Sequence, residues 1–392
     1  MTRMLVVAPF CSLPGEAYFN RFLYLAQRAA TRCDVTLVTS AFRHFDKRQR
    51  DKAAAACAGL RLVLIDEPGY AGNISLARLR SHAAFVRHLQ QWLQAELSQR
   101  PYELVYSAFP LLQTNIVLGR LKARHGFRLV IDVQDVWPEA ISAVLPWADR
   151  LPGWLMPFAA KADRAYAAAD HLVAVSETYL ARARRANARA AGQVVYIGSD
   201  KARIDAIQAR VLPQGVMHFI YAGTLGHSYD LLTLMTAFAT LERLGPRCTL
   251  HVLGDGPLRS QLARRAPSNV CFHGFVPYDE MIAIAKGADC LVNPIKSAAQ
   301  QSVTNKLSDY LMLGKPIISS QTNPEVRQLL RNAPAVHYRA GQPDSFVSAV
   351  EQVRAMRHDG SVDVGLVQRF DRRLSYAHID ALLDGAAAGM QP

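Results

Sequence analysis

Hydrophobic residues along this chain fall in short runs, separated by longer stretches in which they recur every three or four positions. The runs of the first half read MLVVAP, VTLVT, LRLVLID, LVYSA, RLVIDV, HLVAV and QVVYIG; those of the second half read HFIYAG, CTLHVLG, VCFHGF, CLVNP and PIISS. Short apolar runs of this kind predict buried strands, and the stretches between them, such as residues 18–31 and 76–98, carry the helical period. Strands alternating with helices predict crossover units and a parallel sheet, here twice over. Residues 199–215 (SDKARIDAIQARVLPQG) lack a strand pattern and contain Pro213 and Gly215, which predicts a linker. The expected α/β organisation is a Rossmann-like domain over 1–198, a second over 216–362, and a tail over 363–392 whose late amphipathic helix packs back toward the first domain. Open parallel sheets bind ligands beyond the carboxyl ends of their strands. Two such sheets facing one another predict a cleft, with the chemistry on residues that directly follow strands.

Composition narrows this picture. At 392 residues the chain exceeds the size at which one core keeps growing. Half the residues are hydrophobic and a fifth charged, which excludes a disordered chain. Cys11, Cys33, Cys57, Cys248, Cys271 and Cys290 show neither C-x-x-C nor zinc-ligand spacing, so they predict free thiols in a reducing compartment. The start, MTRMLVVAPF, predicts a first strand and not a secretion signal, and no run approaches eighteen apolar residues. A cytoplasmic protein, soluble or peripheral on a membrane, is expected.

Charge is unevenly placed. Residues 1–195 hold 25 Lys/Arg against 15 Asp/Glu, and the remainder 20 against 17. A basic first half implies an anionic partner, unless it is only a solvated surface. Residues 43–52 (RHFDKRQRDK) form one basic cluster, and residues 78–92 mix arginines with Leu79, Phe85, Leu89 and Trp92. Pro146, Trp147 and the stretch from Leu151 to Phe158 add apolar anchors, or else an interdomain hinge. Basic and aromatic surface together fit an anionic leaflet. Nucleic acid is not expected, because no recognised binding module accompanies the charge.

In the second half the informative stretch is NKLSDYLMLGKPIISS, residues 305–320. Lys306 and Asp309 lie three apart near a helix start and share a face. A cation there is not favoured by the helix dipole, so Lys306 is suited to await an anion such as a diphosphate. Asp309, acceptor-only, suits two adjacent ribose hydroxyls. A surface ion pair is the alternative. Gly223-Thr224-Leu225-Gly226 and Gly254-Asp255-Gly256-Pro257 each follow a strand, where glycine lets amides approach phosphate oxygens. Phe275, Val276 and Pro277 end another strand with backbone groups free to read a base edge.

The series YAGTLG, LGDGP, FHGFVP and NKLSDYLMLGKPII, over about residues 218–325, resembles the C-terminal domain of GT-B glycosyltransferases of family 4. The resemblance implies that Asp309 replaces a ribose-binding glutamate and that Lys306 contacts the donor diphosphate. It also implies that Gly226 lines the phosphate loop, that Phe275 to Pro277 hold the base, and that Asn305 and Leu307 lie beside the donor. No metal and no cofactor are implied. Two positions depart from the family pattern. Gln301 stands where a first glutamate is usual, and His227, Ser228, Tyr229 and Asp230 stand where an arginine and a lysine are common. Phosphate grip then falls to Lys306, Lys296 and backbone amides.

In the first half, RLVIDV leads into Gln134-Asp135-Val136-Trp137-Pro138-Glu139. This segment resembles the (D/E)-x-R-D-x-W-P-E signature of fucosaminyltransferase-like enzymes of surface-polysaccharide assembly. Gln134 then aligns with a histidine that faces the reacting sugar in other branches, and Asp135 and Glu139 are the leading catalytic candidates, unless they cap a turn and a helix. Gly15 and Glu16, in the loop after the first strand, are acceptor-side candidates with Gln134 and Trp137, unless Glu16 caps the helix that follows. The expected activity is retaining transfer of a sugar from a UDP, GDP or dTDP donor to a lipid-pyrophosphate-linked glycan, on the cytoplasmic face of an anionic inner membrane. A nucleotide-sugar 2-epimerase of the same fold, or a non-catalytic nucleotide-sugar or lipid binder, are the alternatives.

Overall fold

The computed structural model describes residues 2–16, 20–53, 55–72, 75–135, 158–245, 247–297, 299 and 303–388. The chain divides into two compact units, residues 1–195 with 376–392, and residues 196–375.

The first unit is built on seven parallel strands: β1 Arg3–Val7, β2 Asp34–Ser40, β3 Arg61–Ile65, β4 Leu104–Phe109, β5 Arg128–Val133, β6 His171–Ala174 and β7 Ala191–Val194. Their order is β3-β2-β1-β4-β5-β6-β7, so the chain reverses its direction of winding between β1 and β4. The second unit repeats the design with β8 Met217–Ala222, β9 Cys248–Leu253, β10 Val270–Gly274, β11 Cys290–Asn293, β12 Ile317–Ser319 and β13 Ala335–His337, in the order β10-β9-β8-β11-β12-β13. Its reversal lies between β8 and β11, which makes the ends of those two strands the crevice where this architecture places ligands.

The predicted runs all contain strands. β13 was not predicted, because AVH is too short to show a period. A second unpredicted feature is an antiparallel ribbon, Phe42–Arg43 with Arg48–Gln49, inside the basic cluster. The helix predicted at 76–98 spans Leu76–Gln99, with Ser75 capping it by accepting from Arg78 N. It buries Phe85, Leu89, Leu93 and Leu97, one residue per turn, against the sheet. Phe85 and Leu89 are therefore core residues and not membrane anchors, and Trp92 packs against the same core. Leu76, Leu79 and Phe45 remain exposed, at 72%, 63% and 56%. No helix among the described residues is long and apolar enough to cross a membrane.

Segment 199–215 is not a free linker. It contains a helix, Lys201–Ala206, and is strapped to the second unit: Arg210 N donates to Ala283 O, and Lys286 Nζ donates to the carbonyls of Ile204 and Asp205, both at 3.0 Å. The tail forms three short helices, Val364–Phe370, Arg372–Ser375 and His378–Ala388, where the pattern predicted one. The last belongs to the first unit. Ile379, Leu382 and Leu383 enter its core beside Met4 and Leu25, and Arg28 reaches Asp380 at 2.7 Å. Beneath them lies a buried polar knot. Arg21 Nε contacts Asp132 at 2.7 Å, Arg21 Nη1 donates to Val195 O, and Tyr106 donates to Asp132 at 2.6 Å.

Candidate functional site

The second unit's site is assembled at the ends of β8 and β9. The loop after β8, Gly223 to Gly226, and the loop after β9, Gly254 to Gly256, lie backbone against backbone. Gly223 N donates to Leu253 O at 2.8 Å, Leu225 N to Asp255 O at 2.9 Å, and Gly254 N to Gly274 O at 2.7 Å. A Cβ on Gly254 would lie 2.0 Å from Gly223 O, and one on Gly256 2.7 Å from Leu225 N. The glycines are thus required first for this zipper, and the amides of Gly223, Leu225 and Gly254 are spent on it. Gly256 N is turned to its neighbour Asp255. Along Gly223 to His227, the amides of Thr224, Gly226 and His227 donate to none of the described residues. Leu225 and Leu307 are core side chains, at 0% and 1% exposed, so the former could meet a ligand only through its backbone and the latter lies behind the site.

Lys306 stands in the first turn of the helix Asn305–Leu313, which Thr304 caps by accepting from Leu307 N. Gly314 ends it at φ 63°, where a side chain would strike Gly360 O. The Lys306 amine points into the crevice. Its Nζ is buried and has no hydrogen-bond partner among the described residues, and a Cβ on Gly223 would sit 3.6 Å from it. It lies 3.8 Å above the centroid of Tyr229 and 4.4 Å from that of Tyr221. Burial pushes the amine well below its ordinary pKa.

Asp309, one turn further on, is buried, and its Oδ1 accepts from Ser199 Oγ at 2.5 Å and from Tyr278 OH at 2.9 Å. Burial raises its carboxyl, against the hydrogen bonds from Ser199 and Tyr278 and the nearby Arg372 guanidinium. Sequence reasoning missed this clamp. Ser199 lies in a segment with no element pattern, and Tyr278 reads only as the start of a helix, Tyr278–Gly287. Phe275 is 76% exposed beyond β10, and Asn305 is exposed at the helix start. Lys296 follows β11, its backbone N donating to Ser228 O at 3.0 Å, which draws the post-β8 and post-β11 loops together.

In the first unit, Gly15 takes φ 83° with open space around it. Glu16 is committed to its own loop: Arg50 reaches both its oxygens, at 2.8 and 2.7 Å, and Leu13 N donates to it at 3.0 Å. Burial alone would raise its carboxyl, but Arg50 and Leu13 N more than offset this and hold it below the usual range. Glu16 thus holds the conformation of this loop. A hollow beside it is lined by Phe10, Phe42, His44, Phe45, Glu16 and Arg50. Gln134, just past β5, has a buried Nε2 without a partner among the described residues, and Asp135 follows it. Trp137, Glu139 and Gln301, and the apolar stretch 146–157, lie outside the described residues.

Comparison with known proteins finds similarity in both halves of the chain. Residues 20–198 match the family model of the glycosyl transferase 4-like domain, and residues 217–355 that of glycosyl transferases group 1. No curated protein sequence matches the chain. Among solved structures, HepE from Anabaena in complex with UDP superposes with a TM-score of 0.66 at 15% identity, over 98% of this chain and 100% of that one. The α,α-trehalose 6-phosphate synthase of Burkholderia multivorans gives 0.68 at 12%, over 99% and 98%. The sucrose-phosphate synthase of Thermosynechococcus elongatus gives 0.62 at 14%, over 100% and 97%.

Proposed function

We propose, for a chain that carries a glycosyltransferase domain in each half and has the GT-B fold, transfer of a sugar from a nucleoside-diphosphate donor held by the second unit. The observation that carries this reading is the Lys306 amine, buried without a partner beside the glycine loop at the switch point of the second sheet. A buried amine with three unused donors calls for an anion. A diphosphate laid along the Gly223–Gly226 loop supplies one, with the amides of Thr224, Gly226 and His227 as further donors.

In this reading Asp309 accepts from the ribose hydroxyls and Phe275 to Pro277 face the base, with Lys296 and Asn305 at the rim. UDP, bound in HepE, is the first base to try; GDP and dTDP follow. As the sugar–phosphate bond breaks, negative charge grows on the leaving diphosphate, and Lys306 with the loop amides stabilises it, without a metal. We assign retention at the anomeric carbon: the acceptor hydroxyl attacks from the face the diphosphate leaves, and its proton passes to the departing phosphate oxygen. The acceptor is a lipid-pyrophosphate-linked glycan of surface-polysaccharide synthesis, presented to the first unit near Gly15, Gln134 and Asp135 at an anionic membrane surface. The exposed Phe45, Leu76 and Leu79, with the excess of basic residues in that half, support the membrane part. The matches to transferase domains favour this over an epimerase or a non-catalytic binder.

The test is incubation of the protein with radiolabelled UDP-, GDP- and dTDP-sugars and bacterial membrane extract, following nucleotide release and label in the lipid fraction. The reading expects one donor to be consumed and its label to enter lipid, and Lys306→Ala and Asp309→Ala to abolish both. Wild-type donor turnover in either variant overturns it.

A further inference from the structure

The surroundings of Lys306 go beyond a single phosphate-binding lysine. Two aromatic rings converge on its amine. The Tyr221 ring, at the end of β8, is tied to the loop that follows, because its hydroxyl donates to Thr224 O at 2.6 Å. The Tyr229 ring stands edge-on to it, with centroids 5.8 Å apart and planes at 69°, and Tyr229 N is tied to Gly226 O at 3.1 Å. Lys306 Nζ lies over both rings, nearer to Tyr229. Among the described residues no carboxylate forms an ion pair with Lys306, and Tyr221 and Tyr229 are the titratable groups whose side chains it meets. A lysine normally carries its amine out to water along an apolar stem; here the amine is the buried end. A charged ammonium in such a place is stabilised only by the electron-rich ring faces until an anion arrives.

We propose that Tyr229, together with Tyr221, is a positioning device that cages the Lys306 amine against the Gly223 loop and keeps it unpaired for the diphosphate of an incoming nucleotide. Tyr229 occupies the stretch after the glycine loop that holds no arginine or lysine, so its ring aims the buried Lys306 amine in place of adding a further cation. This rests on the donor reading above. The ammonium form is the one that grips a diphosphate, and burial disfavours that form in the empty site. Nucleotide binding therefore takes up a proton, and affinity falls as pH rises. Losing the ring face deepens the penalty on the ammonium, so the effect of its loss grows with pH.

The experiment is titration calorimetry of UDP, GDP and dTDP into the full chain, from mildly acidic to mildly alkaline pH, with Tyr229→Phe and Tyr229→Leu. Thermal unfolding of each variant without nucleotide shows that the fold is kept. The expected result is that Tyr229→Phe binds like wild type. Tyr229→Leu should weaken binding roughly 3- to 30-fold, the range of one desolvated cation–π contact, and most at alkaline pH. Three results overturn the cage: Tyr229→Leu binding as wild type does, weakening by the same factor at every pH, or Tyr229→Phe weakening as much. If wild-type protein binds none of the three nucleotides, the donor reading itself falls, and the cage with it.

Discussion

Replacing Lys306 by methionine separates stability from function at one atom. Methionine keeps the length and apolar bulk of the stem and removes the amine. In the empty site that amine is buried without a hydrogen-bond partner. Leaving a polar group so placed costs about 1–3 kcal/mol and more when it is charged, and each ring face returns about 0.5–2 kcal/mol. A buried ammonium costs several kcal/mol, which exceeds that return, so the variant should gain about 1–2 kcal/mol. For a unit spanning residues 196–375 that is a rise of about 2–8 °C in melting temperature. The gain has a pH signature. Burial lowers the folded-state pKa of Lys306, so its cost is present below the unfolded value near ~10.4 and shrinks as pH rises toward it. The difference between variant and wild type should narrow at alkaline pH. Calorimetric melting with and without UDP, GDP or dTDP reads both effects: Lys306→Met melts higher alone, and no nucleotide raises it further. A variant that melts lower than wild type, or that keeps the wild-type nucleotide shift, refutes the reasoning.

Other perturbations have outcomes fixed by the same structure. Gly254→Ala puts a methyl 2.0 Å from Gly223 O at φ 134° and should cost about 3 kcal/mol or more; Gly245→Ala, at φ 91° with open space, should cost about 1 kcal/mol, and chemical denaturation compares them. Arg21→Met leaves Asp132 buried without its cation and should lose about 3–5 kcal/mol in urea unfolding of the first unit. His218, His251 and His273 form a chain across β8, β9 and β10 at 3.0 and 2.9 Å. His218 Nε2 donates to Pro213 O at 2.8 Å, which leaves its Nδ1 facing His251 Nε2. Burial, then His273 and His218, lower His251 from 6.5 to about 4. The unfolded chain therefore binds more protons, and the second unit should lose stability as pH falls from about 6.5 toward about 4. Thermal melts should show that loss reduced in His251→Asn.

Legibility differed between the two units for physical reasons. Strands such as HFIYA and RLVIDV announce themselves because a parallel strand buried on both faces must be continuously apolar. Lys306 and Asp309 were legible because a helix start after a strand fixes their common face. Their partners were not: Ser199 reaches Asp309 from 110 residues away in sequence, and the Tyr221–Tyr229 cage depends on how one loop folds over another. That the glycine loops follow strands is legible in the pattern, but which of their amides stay open is not, since only the fold shows that Gly254 meets Gly223. Glu16 and Phe85 show the same limit. Whether a carboxylate or an aromatic faces a ligand, an arginine or the core is decided by packing that a local pattern does not carry.

The central claim is that the nucleotide part of the donor lies in the crevice of the second unit. Photocrosslinking with azido-uridine, azido-guanosine and azido-thymidine diphosphates, followed by peptide mapping, tests it directly. The account predicts label on peptides around Phe275 to Tyr278 and around Gly223 to Tyr229, lost when unlabelled nucleotide competes and lost in Lys306→Met. Competable label confined to residues 2–135, with none in the second unit, would contradict it.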